Sequence, residues 1–94
     1  MISPAMRPRL AAKARLRWDR KDARFMLLYP ERGLVLNATA ADVVQLCTGH
    51  LQVADIVDQL VSKYASQPRE DVEREVLQFL TRMAERGLIS DSDG

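Results

Sequence analysis

The stretch RFMLLYPERGLVLN, residues 24–37, decides the fold. Two uncharged apolar runs, FMLLY at 25–29 and LVL at 34–36, stand on either side of a turn. Pro30 ends the incoming run, and Glu31, Arg32 and Gly33 suit a three-residue hairpin loop closed by glycine in the left-handed conformation. Successive side chains of a strand point to opposite faces, so a hairpin of continuous apolar runs is apolar on both. Each of its faces therefore asks for a cover.

Working back towards the N-terminus, the pattern alternates from Lys13: Ala14, Leu16 and Trp18 point one way, and Lys13, Arg15 and Arg17 the other. That is a half-buried strand. Arg20 to Asp22 form a polar connection, which predicts a three-stranded antiparallel meander with FMLLY in the middle. Residues 1–12 hold Pro4 and Pro8 without periodicity and read as an extended arm whose order depends on what it touches.

Forward from the hairpin the period changes to that of a helix. Thr39 and Asp42 make a start resembling a capping box, Val43, Val44, Leu46 and Cys47 form one apolar face, and Gly49 is a stop. Val53, Ile56, Val57, Leu60, Val61 and Tyr64 then form a stripe of helical spacing. After ASQP, where Ser66 or Gln67 is a cap candidate and the proline suits a first turn, a third helix runs to about Arg86. Its apolar face is Val72, Val76, Phe79, Leu80 and Met83, and Gly87 ends it. LIS at 88–90 adds a short extended piece. The expectation is an α+β, winged-helix-like domain over 13–89, a meander followed by three helices, with an arm at 1–12 and a polar tail at 90–94.

Composition narrows the function. Ninety-four residues, 47% hydrophobic and 29% charged, suit one small core and leave little room for a deep active-site cavity. No apolar run is long enough for a membrane span and no secretory signal opens the chain, so a cytoplasmic protein without a membrane partner is expected. A single cysteine, Cys47, cannot form an intrachain disulfide, and with only His50 nearby it supplies half of a zinc site at most. Neither a metal nor another cofactor is expected, and the scattered acids, bases and nucleophiles do not form a catalytic constellation. Charge is uneven: residues 1–24 carry eight Arg or Lys against Asp19 and Asp22, while the whole chain is only +1. A basic arm on an acidic body suits an acidic partner or a solvated tail.

The edges of the meander are more informative. An edge strand offers unpaired N–H and C=O groups, which proteins protect with charge, proline or a covering segment. The first strand has Lys13, Arg15 and Arg17 for that purpose; LVL carries no charge. FMLLY and LVL are apolar on both faces while the helices cover one, so a second cover is expected: the chain's own arm or LIS segment, a second copy giving a homodimer, or a foreign peptide added as a strand. Anchors contributing about 1.5 to 3 kcal/mol each, set against about 1 to 2 kcal/mol per backbone residue ordered, make peptide binding moderate and reversible.

The order of these motifs resembles the pyrroloquinoline quinone biosynthesis protein D (PqqD) family. The resemblance runs through LLYPERGLVLNATAADVVQLCTGHLQVADIVDQLVSKY at 27–64 and VLQFLTRMAERGLI at 76–89. Its landmarks are Pro30 and Glu31, Leu36, Asn37 and Ala40, Leu46 and Gly49, Ile56 and Leu60, then Val76, Phe79 and Leu80. Thr48 and the HLQ at 50–52 depart from the family pattern at the end of helix one. The resemblance implies a carrier that binds a precursor peptide of the PqqA kind and presents it to a radical S-adenosylmethionine enzyme of the PqqE kind. The peptide would add beside the third strand, in the groove next to the third helix. On that reading Leu34, Val35, Leu36 and Asn37 pair with the peptide and provide shallow pockets, and Val76, Phe79, Leu80 and Met83 form the opposite wall.

The rival reading is a winged helix-turn-helix regulator on DNA. Duplex affinity rests on cationic contacts to phosphate. Helix three has Glu70, Asp71, Glu73, Glu75 and Glu85 against Arg69, Arg74, Arg82 and Arg86, and helix two adds Asp55 and Asp58 with only Lys63. A recognition helix this acidic repels the backbone, so no nucleic-acid partner is expected.

Overall fold

A computed structural model describes residues 2–30 and 32–92. The order is β1 (Pro8–Leu10), β2 (Arg15–Asp19), β3 (Arg24–Tyr29), β4 (Arg32–Leu36), α1 (Ala38–Leu46), α2 (Val53–Lys63), α3 (Arg69–Glu85) and β5 (Ile89–Asp91). This is the expected α+β class, with β2-β3-β4 as an antiparallel sheet and β1-β5 as a second, two-stranded one.

The register of the meander sorts its two faces. Leu16, Leu27 and Leu34 lie opposite one another, as do Trp18, Phe25 and Leu36. Leu27 and Leu36 are buried in the core, and the Trp18 and Phe25 rings meet edge to face at 4.9 Å. Arg17, Met26 and Val35 form a row on the other face, beside a row of Arg15, Leu28 and Gly33. Gly33 is not a turn glycine. Tyr29 pairs with Arg32, so the loop has two residues rather than three, and Gly33 is a strand residue under Met26 and Leu28. A Cβ there would come within 3.2 Å of the Met26 methyl carbon. Glu31, expected in the loop, lies outside the described residues.

The helices bury the stripes expected of them. Ile56, Leu60, Val76 and Leu80 are fully enclosed with Leu27 and Val43. Their starts differ from the sequence reading. Helix α1 is capped by Asn37, whose Oδ1 accepts from the Ala40 N–H at 2.8 Å, two residues before the Thr39 expected there. Asp42 is thereby free to reach the end of α2, where Lys63 Nζ and the Tyr64 hydroxyl donate to it at 2.9 and 2.6 Å. Helix α2 starts at Gln52, whose N–H donates to the Asp55 carboxylate at 3.0 Å. Pro68 itself stands at the cap position of α3, neither Ser66 nor Gln67, and Gly87 at φ 69° closes that helix as expected.

The arm is part of the body. Pro8–Leu10 pair antiparallel with Ile89–Asp91, and Met6, Pro8 and Leu88 are buried. Residues 90 and 91 therefore leave the expected tail, whose residues 93 and 94 lie outside the described residues. The first helical N–H groups have no partner inside their helix. In α2 the arm supplies partners: Val53 donates to the Met6 carbonyl at 2.8 Å and Ala54 to the Pro4 carbonyl at 3.1 Å. Gly49, at φ 86°, lets the arm pass, because a Cβ would stand 2.9 Å from Arg9 Nε.

Candidate functional site

A cleft of about 400 Å³ lies between β4 and α3. One wall is Leu34, Val35, Leu36 and Asn37, with Ala40 at its end; the other is Phe79, Arg82, Met83 and Arg86. Its position follows from sheet order, since among the described residues β4 pairs with β3 on one side only.

Antiparallel pairs alternate between those that exchange hydrogen bonds and those that do not. A hairpin closed by Tyr29 and Arg32 as a bonded pair places further bonded pairs at Leu27 with Leu34 and Phe25 with Leu36. The main-chain N–H and C=O of Gly33 and Val35 consequently turn outward, beside the cleft. The Val35 side chain points to the outer face with Met26, and Val35 is 49% exposed. Its contribution to the cleft is the main-chain edge, not an anchor pocket.

The remaining expected residues divide. Leu34 is half-buried above a floor of Leu36, Phe79 and Met83, all buried and all lining the cleft. Val76 and Leu80 do not line it: both are fully enclosed in the core that α3 shares with α1 and α2. Asn37 is at the cleft's end as a helix cap, and its Nδ2 donates to Glu75 Oε1 at 3.5 Å. Arg86 is at the opposite end, donating from Nη1 to the Tyr29 hydroxyl at 3.3 Å. Helix α3 thus runs antiparallel to β4. Ala40, Arg82 and Arg86 were missed by the sequence reading, which followed only apolar periodicity along α3.

Other candidates separate from this site. Among the described residues the arm and LIS pair with each other beside Thr48 and Gly49, not with the meander. Cys47 is buried, and burial pushes its thiol up to about 12, so it is a protonated core group at neutral pH. Among the described residues no group of three His, Cys, Asp or Glu is placed to hold a metal, and no helix is long and apolar enough to cross a membrane.

Comparison with known proteins converges on one family. The profile of the family described as Coenzyme PQQ synthesis protein D (PqqD) matches residues 24–89. A PqqA binding protein of Bradyrhizobium diazoefficiens is 37% identical over 91 residues, covering 97% of this chain and 87% of its own. The solution structure of the PqqD part of Methylobacterium extorquens PqqCD superposes with a TM-score of 0.80 at 29% identity, covering 96% of this chain and 95% of the other. That protein is a functional, stand-alone recognition element for ribosomally synthesised and post-translationally modified peptides. A lasso peptide synthetase B1 complexed with its leader peptide has the same fold, with a TM-score of 0.71 at 26% identity over 89% of this chain and 98% of the other.

Proposed function

This chain belongs to the PqqD family, and from that premise we propose that it is a peptide carrier in pyrroloquinoline quinone biosynthesis, binding a PqqA-type precursor as a strand added to β4. The observation that carries this reading is the unpaired main-chain row at Gly33 and Val35, facing an apolar floor of Leu36, Phe79 and Met83. An extended peptide satisfies the row with its own backbone and lays alternate side chains on the floor. Relatives named for binding PqqA, and a shared fold in a protein held with a leader peptide, support it.

The finer parts of the proposal follow from the carrier role. The bound precursor is passed on unchanged to a radical S-adenosylmethionine enzyme of the PqqE kind. Both act in the cytoplasm. The outer face, with Met26, Leu28 and Val35 beside Arg15 and Arg17, is where a second copy docks and forms a homodimer.

Titration of ¹⁵N-labelled protein with synthetic PqqA of Bradyrhizobium diazoefficiens tests the site. The expected result is perturbed amides at 33–37 and 79–86, with those of α2 unmoved. Unchanged spectra at millimolar peptide would overturn the carrier reading.

A further inference from the structure

Arg82 and Arg86 are the two cations in the wall of the cleft, one turn apart in the last turn and at the C-cap of α3. Among the described residues neither makes an ion pair, whereas Arg69 and Arg74 of the same helix pair with Asp58 and Asp71 at 2.7 and 3.1 Å. We infer that Arg82 and Arg86 read a carboxylate: the strand seated on β4 carries Asp or Glu at the hairpin end of the cleft and apolar side chains towards α1. The inference rests on the carrier reading and adds which peptides fit, and in which placement.

Three observations lead to it. The cleft is electrically polar along its length, since Arg86 marks its hairpin end through Tyr29 and Glu75 marks its α1 end through Asn37. Between these ends the floor of Leu36, Phe79 and Met83 is apolar, so an acidic side chain is favoured only near the arginines. Spacing also fits. Four residues of helix rise about 6 Å, close to the about 6.8 Å between side chains on one face of a strand. A single carboxylate between the guanidinium groups, or two at alternate strand positions, therefore meets both arginines. A guanidinium offers five donors in a planar fork, and Arg86 uses one on Tyr29, which steadies it over the cleft and leaves the others for a carboxylate.

Basic side chains near a helix C-terminus also offset the helix dipole. The test must therefore separate ligand reading from helix stability. Affinity for the Bradyrhizobium diazoefficiens PqqA peptide is measured for the wild type, Arg82→Gln and Arg86→Gln, and for peptides in which each Asp or Glu is changed in turn to its amide. The inference expects one amide peptide to bind the wild type about tenfold more weakly. The arginine variants should lose a similar factor and be insensitive to that same peptide change, a coupling that a dipole effect does not produce. If PqqA perturbs the β4 amides but every amide peptide and both variants bind within about twofold of the parent, carboxylate reading is overturned and strand addition stands. If PqqA does not bind the wild type at all, the carrier reading falls and this inference with it.

Discussion

Val35 turns its N–H away from β3 while Leu36 turns its own towards Phe25, so proline separates their roles. We expect Val35→Pro to lower peptide affinity at least tenfold by calorimetry with little change in melting temperature. Leu36→Pro removes a ladder bond and a core side chain, and should destabilise the fold by about 3 kcal/mol or more. Equal peptide affinity in Val35→Pro and the wild type would rule out strand addition. Cys47 makes a separate residue-scale case through pH. Burial raises its pKa from 9.0 to about 12, so above pH 9 the unfolded thiol ionises while the native one keeps its proton. The native state then binds more protons, and stability falls as pH rises, by about 1 kcal/mol at pH 10. Denaturant titrations at pH 8 and pH 10 should show this slope, and in Cys47→Ala it should be shallower, with only the part due to Tyr64 and Lys63 left. Cys47 was legible as a buried, inert thiol because its neighbours share its helical face. Asn37 was not: both Asn37 and Thr39 are good caps, and only the end of β4 decides that the turn begins at the first of them.

Among elements, α2 was readable almost to the residue, because Val53, Ile56, Val57 and Leu60 repeat at the helix period and all four are buried. The β1-β5 ribbon was not. Three-residue strands have no period to detect, and Pro8 and Asp91 meet across nearly the whole chain. The cleft shared both conditions. Its floor lay on the apolar stripe of α3, but nothing in sequence told which shoulder of that helix borders β4, so Val76 and Leu80 were assigned to the wall and Arg82 and Arg86 were overlooked. Packing between elements has its own test at Asp42, which joins α1 to the end of α2. The hydrogen bond from Tyr64 to this carboxylate is the main reason its hydroxyl is held above the usual tyrosine range. Tyr64→Phe deletes that donor and leaves Lys63 in place. We expect a loss of about 1 kcal/mol, read as a few degrees in thermal melting, with PqqA affinity unchanged because neither Asp42 nor Tyr64 lines the cleft. A variant as stable as the wild type would show that the Tyr64 hydrogen bond adds nothing to the ion pair at Asp42.

At the scale of the molecule, the arm and the outer face answer the question of what lies against the hairpin. The arm does not. It pairs with β5, burying Met6 and Pro8 and supplying carbonyls to the start of α2. Removing residues 2–11 should therefore lower the melting temperature by more than about 12 °C, from about 3 kcal/mol or more of lost burial in a domain of this size. A small change would mean that the ribbon is a passive appendage. One face of the meander is packed on the helices, the β4 edge suits a peptide, and the outer face holds Met26 and Leu28 half-buried beside an exposed Val35. A dimer built on that face leaves the outward N–H of Gly33 and Val35 accessible, so self-association and peptide capture are separable. Sedimentation at rising concentration should give a dimer for the wild type and a single chain for Met26→Asp, since a carboxylate in the centre of the face loses its water on association. The same variant should bind PqqA as the wild type does. A wild type that stays monomeric at every concentration would remove the second copy. If Met26→Asp lost dimer and peptide together, the two ligands would share the β4 edge, and the outer face would no longer be the dimer surface.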